Sequence, residues 1–284
     1  HGTAMNRAKL LILLLLLVPA ASATVVVNSE DWRDVYTGLQ YAARTEQQGF
    51  FVVDSNQGAD LATRLPQASI TLITGRDQAM PGFRQLLISR GYAVEEIRSS
   101  DAIDLNQQLA LEAPTQNLIV VDDAYGHNAV SVGTYANVIE ASVVFAEPGV
   151  TDVIDEKQPQ ELLLYGHIPA NIIEDLEGYT YESINEQDKF ADNFALVERL
   201  QAQEPKETII LTNGDFIERQ LLEDDNPVLF IGRQNVPEDV MEFLDASGFR
   251  VSVLIGNALA PNAREIKEDT GMSLFIKFAQ GRNE

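Results

Sequence analysis

The feature that most constrains this chain is a strand-and-turn unit that it writes three times. "VVVN" ends at Asn28, "LIVVD" at Asp122 and "TIILTN" at Asn213, spaced 94 and 91 residues apart. A second run follows in each copy: "GFFVVDS" from Gly49, "SVVFAE" from Ser142 and "PVLFIGR" from Pro227. A third run ends in glycine at Gly75, Gly166 and Gly256, which lie 47, 44 and 43 residues beyond the first polar residue of their copies. Features recurring in one order at matched spacing mark an internal repeat, so the fold is to be read one unit at a time.

Helical periodicity fills the intervals. Asp34 to Arg44, Asn128 to Ala141 and, over a shorter span, Asp215 to Asp225 place apolar residues at helical spacing after each first strand. After the third strand, "GFRQLLISRGY", "HIPANIIEDLEGY" and "APNAREIKEDTGM" read as helices closed by Gly91, Gly178 and Gly271. A fourth strand follows each: "AVEEI", "YTYESI" and "MSLFIKF". Short apolar strands alternating with helices predict an α/β fold of three tandem homologous units. Each has a small, mostly parallel sheet flanked by helices and built from right-handed crossovers.

Two longer helical patterns, Asp101 to Pro114 and Asp188 to Pro205, are amphipathic, end at proline and run straight into the next first strand. No Gly/Ser-rich linker separates the copies, so the units are expected to pack on one another. The division is 24–100 for unit 1, 101–187 for unit 2 and 188–284 for unit 3, the last two each with a leading helix.

Residues 1–23 read as a remnant or upstream extension ("HGTAM") and a signal peptide. Arg7 and Lys9 form its basic start, Leu10 to Val18 its apolar core, and Ala21, Ser22 and Ala23 its small-residue cleavage site. Nine apolar residues are too few to span roughly 30 Å of hydrocarbon, so cleavage after Ala23 is expected over a retained anchor. No direct membrane insertion is expected afterwards, and the chain reads as secreted or cell-surface. It has no cysteine, so stability rests on core burial without disulfides.

The net charge of −23, from 43 acidic against 20 basic residues, argues against nucleic acid and against an anionic membrane surface. Only His1, His127 and His167 could supply imidazole, too few for a histidine-rich metal site.

The layout resembles the cell wall-binding repeat 2 family, whose units of about this length occur three in a row in surface-layer and exported proteins. The third copy follows that family's order best, with "PVLFI" matching its "PILL"-like strand. The family's aromatic-x-acid step maps to Phe216 and Glu218 and, in the first copy, to Trp32 and Asp34. In the second copy Asn128 stands at the aligned position with Gly126 two before it, so the step is degraded. The resemblance covers nearly all of the chain after residue 23. It implies a non-enzymatic module, three units about a pseudo-threefold axis, that attaches to an envelope polymer or a surface layer. Members that hold anionic wall polymers use basic residues, whereas this chain is acidic. A neutral glycan, a protein partner or a divalent cation bridging carboxylates fits its charge better.

Asn28, Asp122 and Asn213 end first strands at the carboxyl edge of parallel sheets, where open α/β sheets bind ligands. The same residue types also make turns and helix caps. Asp34, Asn128 and Glu218 recur six, six and five residues later. They stand either as first-turn residues favoured by the helix dipole or as ligand-orienting residues between units. These six are the candidate ligand-binding residues.

"VVDDAYGH" does not make a catalytic pair by itself, because adjacent residues on an extended chain point to opposite faces. No phosphate-binding loop, dinucleotide fingerprint or nucleophile elbow occurs. No catalytic residue, cofactor or specific metal is therefore assigned. Trp32, Tyr36, Tyr41, Tyr125 and Tyr135 lie at helical spacing and read as core before they read as sugar platforms. The alternative functions are a surface-glycan hydrolase or transferase with a cleft between units, and an extracytoplasmic small-ligand receptor.

Overall fold

The computed structural model describes residues 23–284 except 67, 125, 187, 233, 234, 280, 281 and 284. The expected signal peptide therefore lies outside the described residues, apart from Ala23. Unit 1 runs β1 (Thr24–Asn28), α1 (Trp32–Arg44), β2 (Gln48–Phe51), α2 (Ser55–Arg64), β3 (Ser69–Thr74), α3 (Phe83–Ser89) and β4 (Ala93–Arg98). Helix α4 (Ala102–Glu112) leads into unit 2: β5 (Asn117–Val121), α5 (Gly126–Val138), β6 (Ala141–Phe145), α6 (Val150–Lys157), β7 (Leu162–Tyr165), α7 (Ala170–Asp175) and β8 (Glu182–Ile184). Helix α8 (Lys189–Gln203) leads into unit 3. That unit contains β9 (Thr208–Thr212), β10 (Phe216–Ile217), α9 (Arg219–Glu223), β11 (Val228–Phe230), α10 (Glu238–Ser247), β12 (Val251–Ile255), α11 (Asn262–Thr270), β13 (Ser273–Lys277) and β14 (Arg282–Asn283).

The three main sheets have one topology, β2-β1-β3-β4, β6-β5-β7-β8 and β11-β9-β12-β13. Every pairing within them is parallel. Their registers coincide: Val52, Ala146 and Ile231 each donate a backbone N–H to Val27, Val121 and Thr212 respectively, at 2.8 Å. First strands are covered on both faces, which is why they read as unbroken Val/Ile/Leu runs. Side-chain caps set several helix starts: Asp31, Asp54, Asp101 and Asp188 each accept a backbone N–H from the first turn that follows.

The units close around a pseudo-threefold axis on which the first helices α1, α5 and α9 pack against one another. One apolar cluster draws Tyr36 from unit 1, Phe145 and Tyr165 from unit 2 and Leu221 and Phe230 from unit 3. Further clusters serve single units on the outer sheet faces, those of units 2 and 3 also taking Ala110 from α4 and Val197 from α8. Gly133 permits the α5–α9 approach, since a Cβ there would stand 2.6 Å from Leu222 Cδ2 and 2.9 Å from the Leu221 carbonyl.

The leading helices seal the joints between units through two equivalent asparagines. Asn106 on α4 donates from Nδ2 to Thr37 Oγ1 (3.1 Å) and the Val143 carbonyl (3.0 Å), and its Oδ1 accepts from Phe145 N (2.9 Å). Asn193 on α8 donates to Ser131 Oγ (2.7 Å) and the Val228 carbonyl (2.9 Å), and accepts from Phe230 N (2.8 Å). Each ties the first helix of one unit to the second strand of the next.

One expectation needs correction. The third first-helix does not run from Asp215 to Asp225. It is the five-residue α9, and Phe216 and Ile217 form β10, paired antiparallel with β14. Asp224 Oδ1 accepts from the backbone N–H groups of Asp225 (2.8 Å) and Asn226 (3.0 Å) and from Asn226 Nδ2 (2.6 Å). That local bonding offers the backbone an alternative to helix and stops α9.

Candidate functional site

In a sheet ordered 2-1-3-4 the order in which strands are added reverses between the first and third strands, and the crevice at their carboxyl ends is the site such folds favour for ligands. The three units treat this crevice differently. In unit 1 it is filled: Asn28 is 1% exposed, donates Nδ2 to the Met80 carbonyl and accepts from Met80 N, both at 2.9 Å. Behind it Asp34, 2% exposed, accepts from Ser29 Oγ (2.6 Å) and Ser99 Oγ (3.1 Å). Burial raises the Asp34 carboxyl above its ordinary range, and these two hydroxyls pull it partly back.

In unit 3, Asn213 turns into its own loop, donating Nδ2 to Asp215 Oδ2 (2.7 Å) and accepting from Asp215 N (3.2 Å). Glu218 is buried at the N-terminus of α9, with Lys277 Nζ from the end of β13 at 3.5 Å.

In unit 2 the position is open. A crevice of about 540 Å³ is lined by Asp122, His127, Asn128, His167, Asp188 and Asp192, with Lys189, Asn185 and Gly166 completing it. Gly166, which ends the third strand, holds φ at 81°, and a Cβ there would stand 3.0 Å from Asn128 Nδ2. A side chain at that position would both strain the turn and narrow the crevice. Asp122 accepts from Ala124 N (3.0 Å) and from Asn128 Nδ2 (3.4 Å). It is the one candidate residue of the six that is half-buried; Asn128 beside it lines the crevice at 7% exposure, and the other four are buried.

Asp122 and Asp123 diverge as adjacent residues of an extended chain should. Asp123 leaves the crevice and meets Arg33 of unit 1, Nε to Oδ2 at 2.6 Å. At two of the joints a neighbour of the candidate position reaches across: Arg33 beside Asp34, and His127 beside Asn128. The His127 ring stands edge-on to Phe230 of unit 3, centroids 5.9 Å apart.

Three carboxylates, Asp122, Asp188 and Asp192, share the crevice with one lysine, Lys189. Partial burial, with Lys189 nearby, lowers His127 to about 4, so its imidazole is neutral at neutral pH. Burial raises the Asp192 carboxyl, opposed by the hydrogen bond it accepts from Glu186 N. Asp188 accepts from Phe190 N (2.8 Å), so it is both helix cap and crevice wall. Among the described residues no three His, Asp or Glu side chains converge to hold a metal ion, so a bridging cation would need further ligands from its partner.

The sequence pointed to Asp122 and Asn128 but missed His127, His167, Asp188, Lys189 and Asp192. Asp188 had a visible signal, as the start of a leading helix that follows a fourth strand directly. Trp32, Tyr36 and Tyr135 are core as expected and Tyr41 is half-buried, while Tyr125 lies outside the described residues.

The fold defines a class, a three-unit α/β body closed about a pseudo-threefold axis, with one open crevice among the described residues at the sheet edges, that of unit 2. Solved structures similar in fold include two from one organism. Cwp6 from Clostridium difficile matches with a TM-score of 0.65 at 14% identity, over 93% of this chain and 42% of that one. Cwp8 from Clostridium difficile matches with a TM-score of 0.69 at 14% identity, over 89% of this chain and 48% of that one. The chain thus spans less than half the length of either neighbour. No family model and no curated protein matches the sequence. No helix among the described residues is long and apolar enough to cross a membrane.

Proposed function

We propose that this protein is an exported, non-enzymatic cell-surface module of the cell wall-binding repeat type, which holds an envelope glycan or a surface-layer protein. The observation that carries the reading is the unit 2 crevice. Three copies of one sheet edge are present, and the copy that opens presents Asp122, Asn128 and a neutral His127 to a ligand. Carboxylate, amide and neutral imidazole together accept and donate hydrogen bonds to hydroxyls without requiring an anionic partner. Cwp6 and Cwp8 are cell wall proteins, which supports a surface setting. The basic, apolar and small-residue order of residues 7–23 supports export.

The test is a pull-down of purified protein on native envelope fractions, with and without chelator. Binding should fall at least tenfold in Asp122→Ala and Asn128→Ala while the melting temperature changes little. Binding that vanishes with chelator would assign a bridging cation. Unchanged binding by both folded variants would place the site elsewhere, and turnover of envelope glycan abolished in Asp122→Ala would make the protein an enzyme.

A further inference from the structure

The joint between unit 3 and unit 1 differs from the other two. At the joint of units 1 and 2, α4 lies between α1 and β6, and at the joint of units 2 and 3, α8 lies between α5 and β11. The third joint is lined by α9 on one side and by β2 and its following turn on the other. Among the described residues no helix covers it, and a groove of about 830 Å³ remains. Phe50, Phe51 and Val53 form its apolar wall, and Arg219 lays its guanidinium 4.4 Å from the Phe50 ring centroid.

The register identifies what the groove offers. Because Val52 N bonds Val27 O as Ala146 N bonds Val121 O, Phe51 is equivalent to Phe145 and Gly49 to Val143. Phe145 N and Val143 O are the groups that Asn106 binds, and Phe230 N and Val228 O are those that Asn193 binds. Phe51 N and the Gly49 carbonyl therefore stand at the same edge positions, one residue out of step with the bonds to β1. The hydroxyls that complete the other two sites, Thr37 and Ser131, lie three residues after Asp34 and Asn128, whereas Leu221 lies three after Glu218. By register the edge of β2 at the third joint thus carries two of the three bonding groups.

Charge narrows the occupant. At the first joint the α1 side of the groove carries Arg44, and α4 ends in Glu112. At the third joint the corresponding side carries Glu223, Asp224 and Asp225; Glu223 pairs with Arg219 and Asp225 with Lys206, so the rim keeps a smaller acidic excess centred on Asp224. An occupant running in the same direction would end beside these acids, where basic residues in its last turn complement both the rim and the helix dipole. Leu10 to Val18, the apolar run upstream of β1, has no amide and no basic residue at its end. Helices α4 and α8 already fill their own joints, so a second copy has no matching helix to spare.

We propose that the unit 3–unit 1 groove is the docking site for a helix of a partner protein. That helix is amphipathic, carries a mid-helix asparagine that binds Phe51 N and the Gly49 carbonyl, and has Lys or Arg in its last turn. The inference is independent of polymer binding at the unit 2 crevice.

The probe is a synthetic peptide of residues 188–204 carrying Glu198→Lys and Glu204→Lys, titrated onto the full chain and onto a chain beginning at Ala23. Saturable binding to the shorter chain is expected in the micromolar range, with slowed amide exchange over Phe50 to Val53. Replacing the peptide's asparagine (Asn193→Ala) should weaken it at least tenfold, and the protein variant Asp225→Lys, which also breaks the Lys206–Asp225 bridge, should weaken it several-fold at a temperature where the variant stays fully folded. Absence of saturable binding, or equal binding by the Asn193→Ala peptide, would overturn the proposal. Protection of Phe51 already present in the full chain and lost on removing residues 1–22 would also overturn it, by showing that the chain's own segment is the occupant.

Discussion

Arg33 and Asp123, 90 residues apart in the chain, meet across the joint of units 1 and 2 with Arg33 Nε 2.6 Å from Asp123 Oδ2. A second guanidinium nitrogen, Nη2, donates to the Asp123 carbonyl at 3.2 Å, so one side chain grips both parts of the residue. The Asp123 side chain is 7% exposed and that of Arg33 30%, which places the pair between a surface bridge and a buried one.

Asp123→Ala should therefore destabilise the whole protein by about 1 kcal/mol, the cost of losing the carboxylate while Arg33 keeps the residue 123 carbonyl and its exposure to water. Urea unfolding should shift to a lower midpoint and remain a single transition. An unchanged midpoint would mean that apolar packing alone holds this joint.

Asn193→Ala should cost about 1–3 kcal/mol for each buried group that it leaves bare, here Phe230 N and the Val228 carbonyl. Asn193→Asp should be no milder, because it removes both donated bonds and adds a buried charge. Asn106→Ala should behave alike, since its bonds are equivalent. A difference of more than a few kcal/mol between the two alanine variants would show that the joints are not energetically alike.

Deleting unit 3 from Lys206 should abolish the cooperative fold of the remainder, because the axial cluster loses Leu221, Leu222 and Phe230. Calorimetry of residues 23–205 checks this. A transition at the temperature of the full chain would establish units 1 and 2 as independent of the third.

His127 fixes a pH dependence. Its folded pKa of about 4 lies below its ordinary 6.5, so between these values the unfolded chain binds more protons. Stability from this group is full above about 6.5 and is lost as pH falls towards about 4. Asp34 and Asp192, both raised, work the other way: their contribution is present at low pH and lost as pH rises through their folded values. The His127 effect is thus read as a difference. The stability gap between the protein and His127→Gln should shrink between pH 6.5 and pH 4, and a constant gap would contradict the buried neutral imidazole.

Asp34→Ala separates structure from binding. Asp34 is sealed behind Ser29 and Ser99, so its loss should lower the melting temperature while envelope binding stays unchanged. Weakened binding without destabilisation would restore the reading in which Asp34, Asn128 and Glu218 act together on a ligand.

The sequence by itself determined the repeat, the parallel sheets and the leading helices, because burial on both faces demands unbroken apolar strands and because caps such as Asp101 and Asp188 act locally. It also marked the carboxyl edge of each first strand as the place to look for a site. Only the tertiary structure decided which edges are open. Asn28, Asp122 and Asn213 look alike along the chain, yet Asn28 is plugged by Met80 from a loop 52 residues away and Asp122 is not. The inter-unit roles of Arg33, His127, Asn106 and Asn193 were likewise settled in three dimensions. Their partners come from other units, and periodicity within one helix carries no information about which groups a neighbouring unit will bring against it.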